Sequence, residues 1–160
     1  MANTLQDMGI TMKIKMSEVS KIISSAINDV ENAVVTRLSV LGEDCVNLAR
    51  DRTPEASWID RTGNLRSSIG YVIARNGKII HYSDFKQVKQ GNEGTKVGKD
   101  LATEIVKRTV GDYVLVVVAG MNYAEYVEAR DNKDVLATPE LFARKELPKM
   151  MEKLERQFVK

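Results

Sequence analysis

The amino-acid sequence predicts an α+β fold: a long N-terminal helix packed on a small, mainly antiparallel sheet, with a second helix at the C-terminus. Three observations carry this. From Ser17 onward, apolar residues recur at intervals of three and four as far as Leu48. The stretch "SSIGYVIARNGKIIHYSD" (67–84) holds two strand-like runs around Asn76-Gly77, the pair that favours a type I′ hairpin turn. After Pro139, Leu141, Phe142, Leu147, Met150, Met151, Leu154 and Phe158 line one side of a terminal helix. With 160 residues, 43% of them hydrophobic and 29% charged, the chain fits one ordinary domain (1–160) able to bury a core.

The elements follow in order. In "ITMKIK" (10–15), Ile10, Met12 and Ile14 alternate with Thr11, Lys13 and Lys15, the period of a half-buried strand. Ser17 is a good helix N-cap, and Glu18 in the first turn suits the helix dipole. The helix runs toward Arg52, where Pro54 ends it. At 1.5 Å per residue it is about 50 Å long, so either Gly42 breaks it or part of it projects and meets another chain. "TPEASWID" (53–60) reads as a loop that continues through "RTG".

After the hairpin, residues 84–108 read as an exposed insert. Its Gly- and Lys-rich part, "FKQVKQGNEGTKVGKD" (85–100), is expected to be a loop, and "LATEIVKR" (101–108) a short helix. "DYVLVVVAG" (112–120), apolar on both faces, predicts a central strand. Thr138 and Pro139 mark the N-cap and first turn of the last helix, which Pro148 should kink or restart.

The sequence argues against catalysis. "GTKVGKD" (94–100) lacks the spacing and the hydroxyl of a phosphate loop, and Asp100 stands where it would repel phosphate. The single histidine, His81, excludes a histidine metal cluster. It reads as a satisfied strand residue, and Cys45, on the helix's apolar side, as a small buried hydrophobe. Glu125 and Glu128 are three apart but lie in a polar connection, where solvated charge is the simpler reading than an acid–base pair. Acidic neighbours offset Lys86, Lys89, Lys96 and Lys99, and the net charge is +2, so neither a specific nucleic-acid footprint nor membrane attraction is expected. The single cysteine permits no internal disulfide, the first residues lack a signal-peptide core, and "VLVVVA" is too short to span a bilayer. No enzyme activity, cofactor, metal or small-molecule substrate is expected. A soluble protein made in the cytosol is expected.

Two stretches carry a resemblance. In "ARDRTPEASWIDRTGNLRSSIGY" (49–71), Pro54, Thr62, Gly63, Leu65, Arg66, Ser68 and Ile69 match one motif. In "VVAGMNYAEYVEA" (117–129), Tyr123, Ala124, Tyr126, Val127 and Glu128 match a second, and Pro139 with Phe142 approximates a third. With the long leading helix, these resemble the small neck or tail-completion proteins of long-tailed phages, the "gene product ten"-like family of minor tail components. Thr53 stands where that family commonly has alanine, and Ala129-Arg130 where glycine is usual.

The resemblance implies a virion protein of the neck or tail, made in a bacterial host cytoplasm and acting by ring assembly, with six copies as the tail's symmetry implies. Its partners would be its own copies and adjacent connector, tail-terminator or tail-tube proteins. Thr62, Gly63, Leu65, Arg66, Tyr123, Tyr126 and Glu128 would form an architectural motif, either an internal brace or an intersubunit contact. On this reading Gly63 supplies a turn with positive φ, Arg61 and Arg66 face carboxylates such as Glu128, and the tyrosines offer rigid contact surface. The alternative is a non-viral protein-binding adaptor that uses the long helix.

Overall fold

The computed structural model describes residues 10–51, 58–125, 129 and 134–159. Helix α1, Met16–Arg50, forms where the three-and-four periodicity predicts it, with Glu18 in its first turn and Arg50 in its last. It passes through Gly42 without a break. The glycine serves packing. A Cβ built there would lie 2.6, 2.7 and 2.9 Å from three ring atoms of Tyr71, a strand residue whose ring closes on the helix backbone. Gly42→Ala should therefore destabilise the protein despite alanine's better helix propensity. About 1 kcal/mol of propensity is gained, but overpacking a filled core costs about 1–3 kcal/mol. Tyr71 has little freedom to yield, being 1% exposed with its hydroxyl 3.2 Å from His81 Nε2. Urea unfolding should show a net loss of about 1 kcal/mol; a gain would mean that the ring moves aside.

Contacts divide the chain into two compact units, residues 1–32 and residues 33–160. In the first, residues 10–15 form neither strand nor helix, which corrects the expectation of a strand there. Ile10, Met12 and Ile14 are 89%, 85% and 78% exposed. The alternation is present, but the one-sided burial that makes it favour a strand is not.

The second unit is built on a three-stranded antiparallel sheet of β1 (Ile69–Arg75), β2 (Lys78–Tyr82) and β3 (Tyr113–Ala119), in the order β2-β1-β3. The hairpin turns at Asn76 (φ 49°) and Gly77 (φ 76°), both in the positive-φ conformation that a type I′ turn requires. The centre of the sheet is β1, and β3 is an edge strand, contrary to the reading of its apolar run as central. Both faces of β3 are nevertheless covered. Leu115 and Val117 pack into a cluster with Leu38, Val46 and Ala49 of α1 and Ile69, Tyr71 and Ile73 of β1. Val116 and Val118 face a second cluster with Val72, Ala74, Phe85, Ala102 and Val106.

Ala102 and Val106 belong to helix α3, Asn92–Arg108, so the sheet is the middle layer between α1 and α3. This corrects the reading of 85–100 as an exposed loop. Helix begins at Asn92, Phe85 is in the core, and Gly91, Gly94 and Gly98 are buried. The short helix α2, Asn64–Ser67, lies against α3 so closely that a Cβ on Gly94 would sit 1.9 Å from the Asn64 carbonyl oxygen. One on Gly98 would sit 2.4 Å from that of Ser68. Helix α4, Ala137–Phe158, runs through Pro148 without restarting. Its first turn is held by Asp134, whose two carboxylate oxygens each accept the Thr138 N–H at 3.0 Å, so aspartate supplies the cap that Thr138 was expected to give.

Candidate functional site

The motif around Gly63 is a turn held from three sides. Gly63 has φ 83°, and a Cβ there would meet the Val88 carbonyl oxygen at 2.0 Å, so conformation and space both call for glycine. The buried carboxylate of Asp60 brackets the turn. Its Oδ1 accepts the Gly63 N–H at 2.9 Å and its Oδ2 accepts the Arg66 N–H at 2.8 Å. Two backbone donors at the head of α2 are thereby satisfied by one charged acceptor. Lys89, with φ 52°, donates from Nζ to the Asp60 carbonyl oxygen at 2.7 Å, which draws the following segment over the turn.

The two serines of "LRSSI" tie this turn to two other segments. Ser67 Oγ accepts the Val88 N–H at 2.7 Å. Ser68 Oγ donates to the Leu65 carbonyl oxygen at 2.8 Å and accepts the Met121 N–H at 3.3 Å, while the Ser68 carbonyl oxygen accepts the Gly120 N–H at 3.2 Å. Both serine side chains are fully buried, so these bonds replace water that cannot reach them. Asn64 closes the other side, its Oδ1 accepting the Gly94 N–H at 3.2 Å and its Nδ2 donating to Glu93 Oε2 at 3.4 Å.

The first and second sequence motifs meet here. The Tyr123 phenol is hydrogen-bonded to the Thr62 side chain. Burial pushes that phenol above its ordinary pKa, the Asp60 and Glu93 charges add to the rise, and the Thr62 bond opposes it. Leu65 is buried in the α1-side core. The Arg66 guanidinium lies 4.5 Å from the centroid of the buried Trp58 ring and donates from Nε to the Arg50 carbonyl oxygen at 3.3 Å. Arg50 itself reaches back to the Ile69 carbonyl oxygen at 2.5 Å, joining the end of α1 to the start of β1. Tyr126, Glu128 and Pro54 lie outside the described residues. Thr62, Gly63, Leu65, Arg66 and Tyr123 thus converge on one brace that joins α1, α2, α3 and the end of β3.

A family profile described as "Bacteriophage HK97-gp10, putative tail-component" matches residues 12–129, nearly three quarters of the chain. The chain belongs to the HK97-gp10-like family. It is a bacteriophage tail component, and its place is the virion, in contact with other tail proteins. No curated protein and no solved structure matches it.

Sequence reasoning missed Asp60, Ser67 and Asn64 in this gp10-like protein. Only Asp60 left a trace, as an acidic residue three before the positive-φ glycine, a common way to cap a turn. The remaining chemically capable groups are tied into structure. His81 Nε2 is 3.2 Å from the Tyr71 hydroxyl. Cys45 is buried and lies 3.7 Å from the Pro139 carbonyl oxygen, as a sulfur donor to it. Among the described residues no group of His, Cys, Asp and Glu is arranged to hold a metal ion, and no helix is long and apolar enough to cross a membrane.

Burial first, and then the Asp44 charge, push the Cys45 thiol from about 9 up to about 11. Two outcomes follow. In the native protein Cys45 should resist a thiol reagent such as Ellman's reagent until denaturant is added. The unfolded chain loses this proton at lower pH than the folded one, so stability should fall as pH rises from about 9 toward 11. The Tyr71 and Tyr123 phenols, also pushed up by burial, act in the same sense. A thermal midpoint that stays flat across that window would contradict this.

Proposed function

We propose that this gp10-like protein is a neck or tail-completion subunit of a long-tailed phage. It assembles as a ring, with six copies as the tail's symmetry implies, between connector, tail-terminator or tail-tube proteins, and it does no chemistry. The family match over residues 12–129 carries this reading. The brace supports it: Asp60, Gly63, Ser67, Ser68 and Tyr123 hold three chain segments together, the turn at 60–68, the stretch at Val88 and the stretch at 121–123. Such a brace gives each subunit a rigid frame on which heterologous contacts can close a ring.

The test is deletion of the gene from its phage, followed by negative-stain imaging of the lysate. Heads and tails that fail to join, or tails with frayed ends, restored by the wild-type gene in trans, are the expected result. Normal infectious particles from the deletion would sink the reading.

A further inference from the structure

We propose that residues 10–15 of one copy add to the open edge of β3 in the next copy, as a fourth strand of its three-stranded sheet. Which backbone groups that edge offers follows from the bonds of β1. Tyr71 turns its backbone toward β2: its carbonyl oxygen accepts the Ser83 N–H and its N–H donates to Ser83 Oγ, both at 2.8 Å. Backbone direction alternates along a strand, so Gly70, Val72 and Ala74 face β3 and bond to their partners Val118, Val116 and Val114. The Gly120 N–H on the Ser68 carbonyl and the Asn76 N–H on the Asp112 carbonyl keep the same alternation. The N–H and C=O groups of Tyr113, Leu115, Val117 and Ala119 therefore point out of the sheet, and among the described residues nothing bonds to them there.

Sheet edges are normally protected by a charge, a proline, a bulge or shortness. The opposite edge of this sheet is: β2 has five residues, starts at Lys78, and its register with β1 shifts between Ile73 and Ala74. The β3 edge has no such protection. Its seven residues, "YVLVVVA", carry no charge and pair with β1 in unbroken register. An edge left in this way accepts an added strand. Beside it, on the α1 face of the sheet, lies a cavity of about 320 Å³ lined by Leu115 and Val117 of β3, Cys45 of α1, and Leu136, Pro139 and Glu140.

The arm at 10–15 carries the complementary pattern. Ile10, Met12 and Ile14 alternate with Thr11, Lys13 and Lys15, yet the three apolar side chains are exposed and, among the described residues, the arm pairs with no strand of its own chain. Six extended residues span about 20 Å, enough to run along β3. Laid antiparallel, like every pair in this sheet, the arm sets Ile14 beside Leu115, Met12 beside Val117 and Ile10 beside Ala119, with their side chains on the face that holds the cavity. Lys13 and Lys15 fall on the other face, beside Val116 and Val114, under α3. A Cβ on Gly120 would lie 2.5 Å from the Gly98 Cα and 2.8 Å from the Val97 carbonyl carbon, so the flank of α3 over β3 is the one that runs from Val97 through Leu101 to Glu104. Charge fits as well. The arm is basic with no acid, and the edge is flanked by Glu104 on one face and Glu140 on the other, ion-paired to Arg108 and Arg144. An arm on the next copy's edge is a heterologous contact, which closes a ring when repeated. The inference rests on the proposed ring and names the contact that closes it.

The test supplies variants of the full chain in trans to the gene deletion and follows the chain in purified particles. Prolines read the ladder. In this register the Met12 N–H bonds to Val117 and the Lys13 N–H points away from it. Met12→Pro should therefore cut incorporation at least about tenfold, while Lys13→Pro stays near wild type. Both positions are exposed in the single chain, so neither change disturbs its core. Equal effects of the two prolines would overturn the pairing. Lys15→Cys with Val114→Cys sets two thiols on adjacent strands, and oxidising such particles should give a ladder of covalent multimers of this chain. Monomers alone, a bridge within one chain, or a link to a different tail protein would overturn the contact and leave the ring standing. Absence of the wild-type chain from particles would overturn the ring and the contact together.

Discussion

Gly63→Ala is expected to lower the stability of the protein by about 3 kcal/mol or more. Two costs combine. An L-residue at φ 83° sits in left-handed backbone, worth roughly 1 kcal/mol. The new methyl would also lie 2.0 Å from the Val88 carbonyl oxygen, and that carbonyl belongs to a backbone segment fixed by Ser67, so it cannot simply swing away. The hairpin glycine separates the two costs. Gly77 has a similar φ of 76°, but a Cβ there meets nothing within 4 Å. Gly77→Ala should therefore lose only about 1 kcal/mol. Urea unfolding of the two variants gives the comparison. Equal losses would show that backbone strain alone matters and that the Val88 contact relaxes freely.

Asp60→Ala should be of similar size by another mechanism. Removing the carboxylate leaves the Gly63 and Arg66 amides without their acceptor in a site that water reaches poorly, since Asp60 is 6% exposed. An orphaned buried donor costs about 1–3 kcal/mol, so the pair should cost about 2–5 kcal/mol. Asp60→Asn keeps one acceptor oxygen and should lose about half as much. Hydrogen exchange gives the sharper readout: protection of the Gly63 and Arg66 amides should drop in Asp60→Ala while that of the central strand β1 holds. Unchanged protection at those two amides would show that the bracket is not what closes the turn.

Much of the fold was legible because its signals are local. The period of α1, the Asn76-Gly77 hairpin and the apolar side of α4 each depend on residues within one element. What could not be read depends on partners distant in sequence. Glycine at 91, 94 and 98 reads as loop because glycine is a poor helix former. In the fold those positions lack side chains so that α3 can touch the α2 backbone, and tertiary packing overrides propensity. The run 113–119 reads as central because both faces are apolar, but burial from two helical layers produces the same pattern in an edge strand. The alternation at 10–15 shows the converse, a strand pattern without burial.

The site was half legible. Thr62, Gly63, Leu65, Arg66 and Tyr123 stood out as a motif and do converge. That the motif joins three chain segments through Asp60 and the two serines needed coordinates, because a buried serine and a solvated one look alike in a sequence.

The central claim is that this chain is a structural part of the phage tail. The most direct measurement is quantitative mass spectrometry of gradient-purified particles from its phage. The account expects the chain in every particle at a small, fixed copy number matching one ring, resistant to salt washing. Its absence from purified particles, with the protein left among soluble lysate components, would contradict the account.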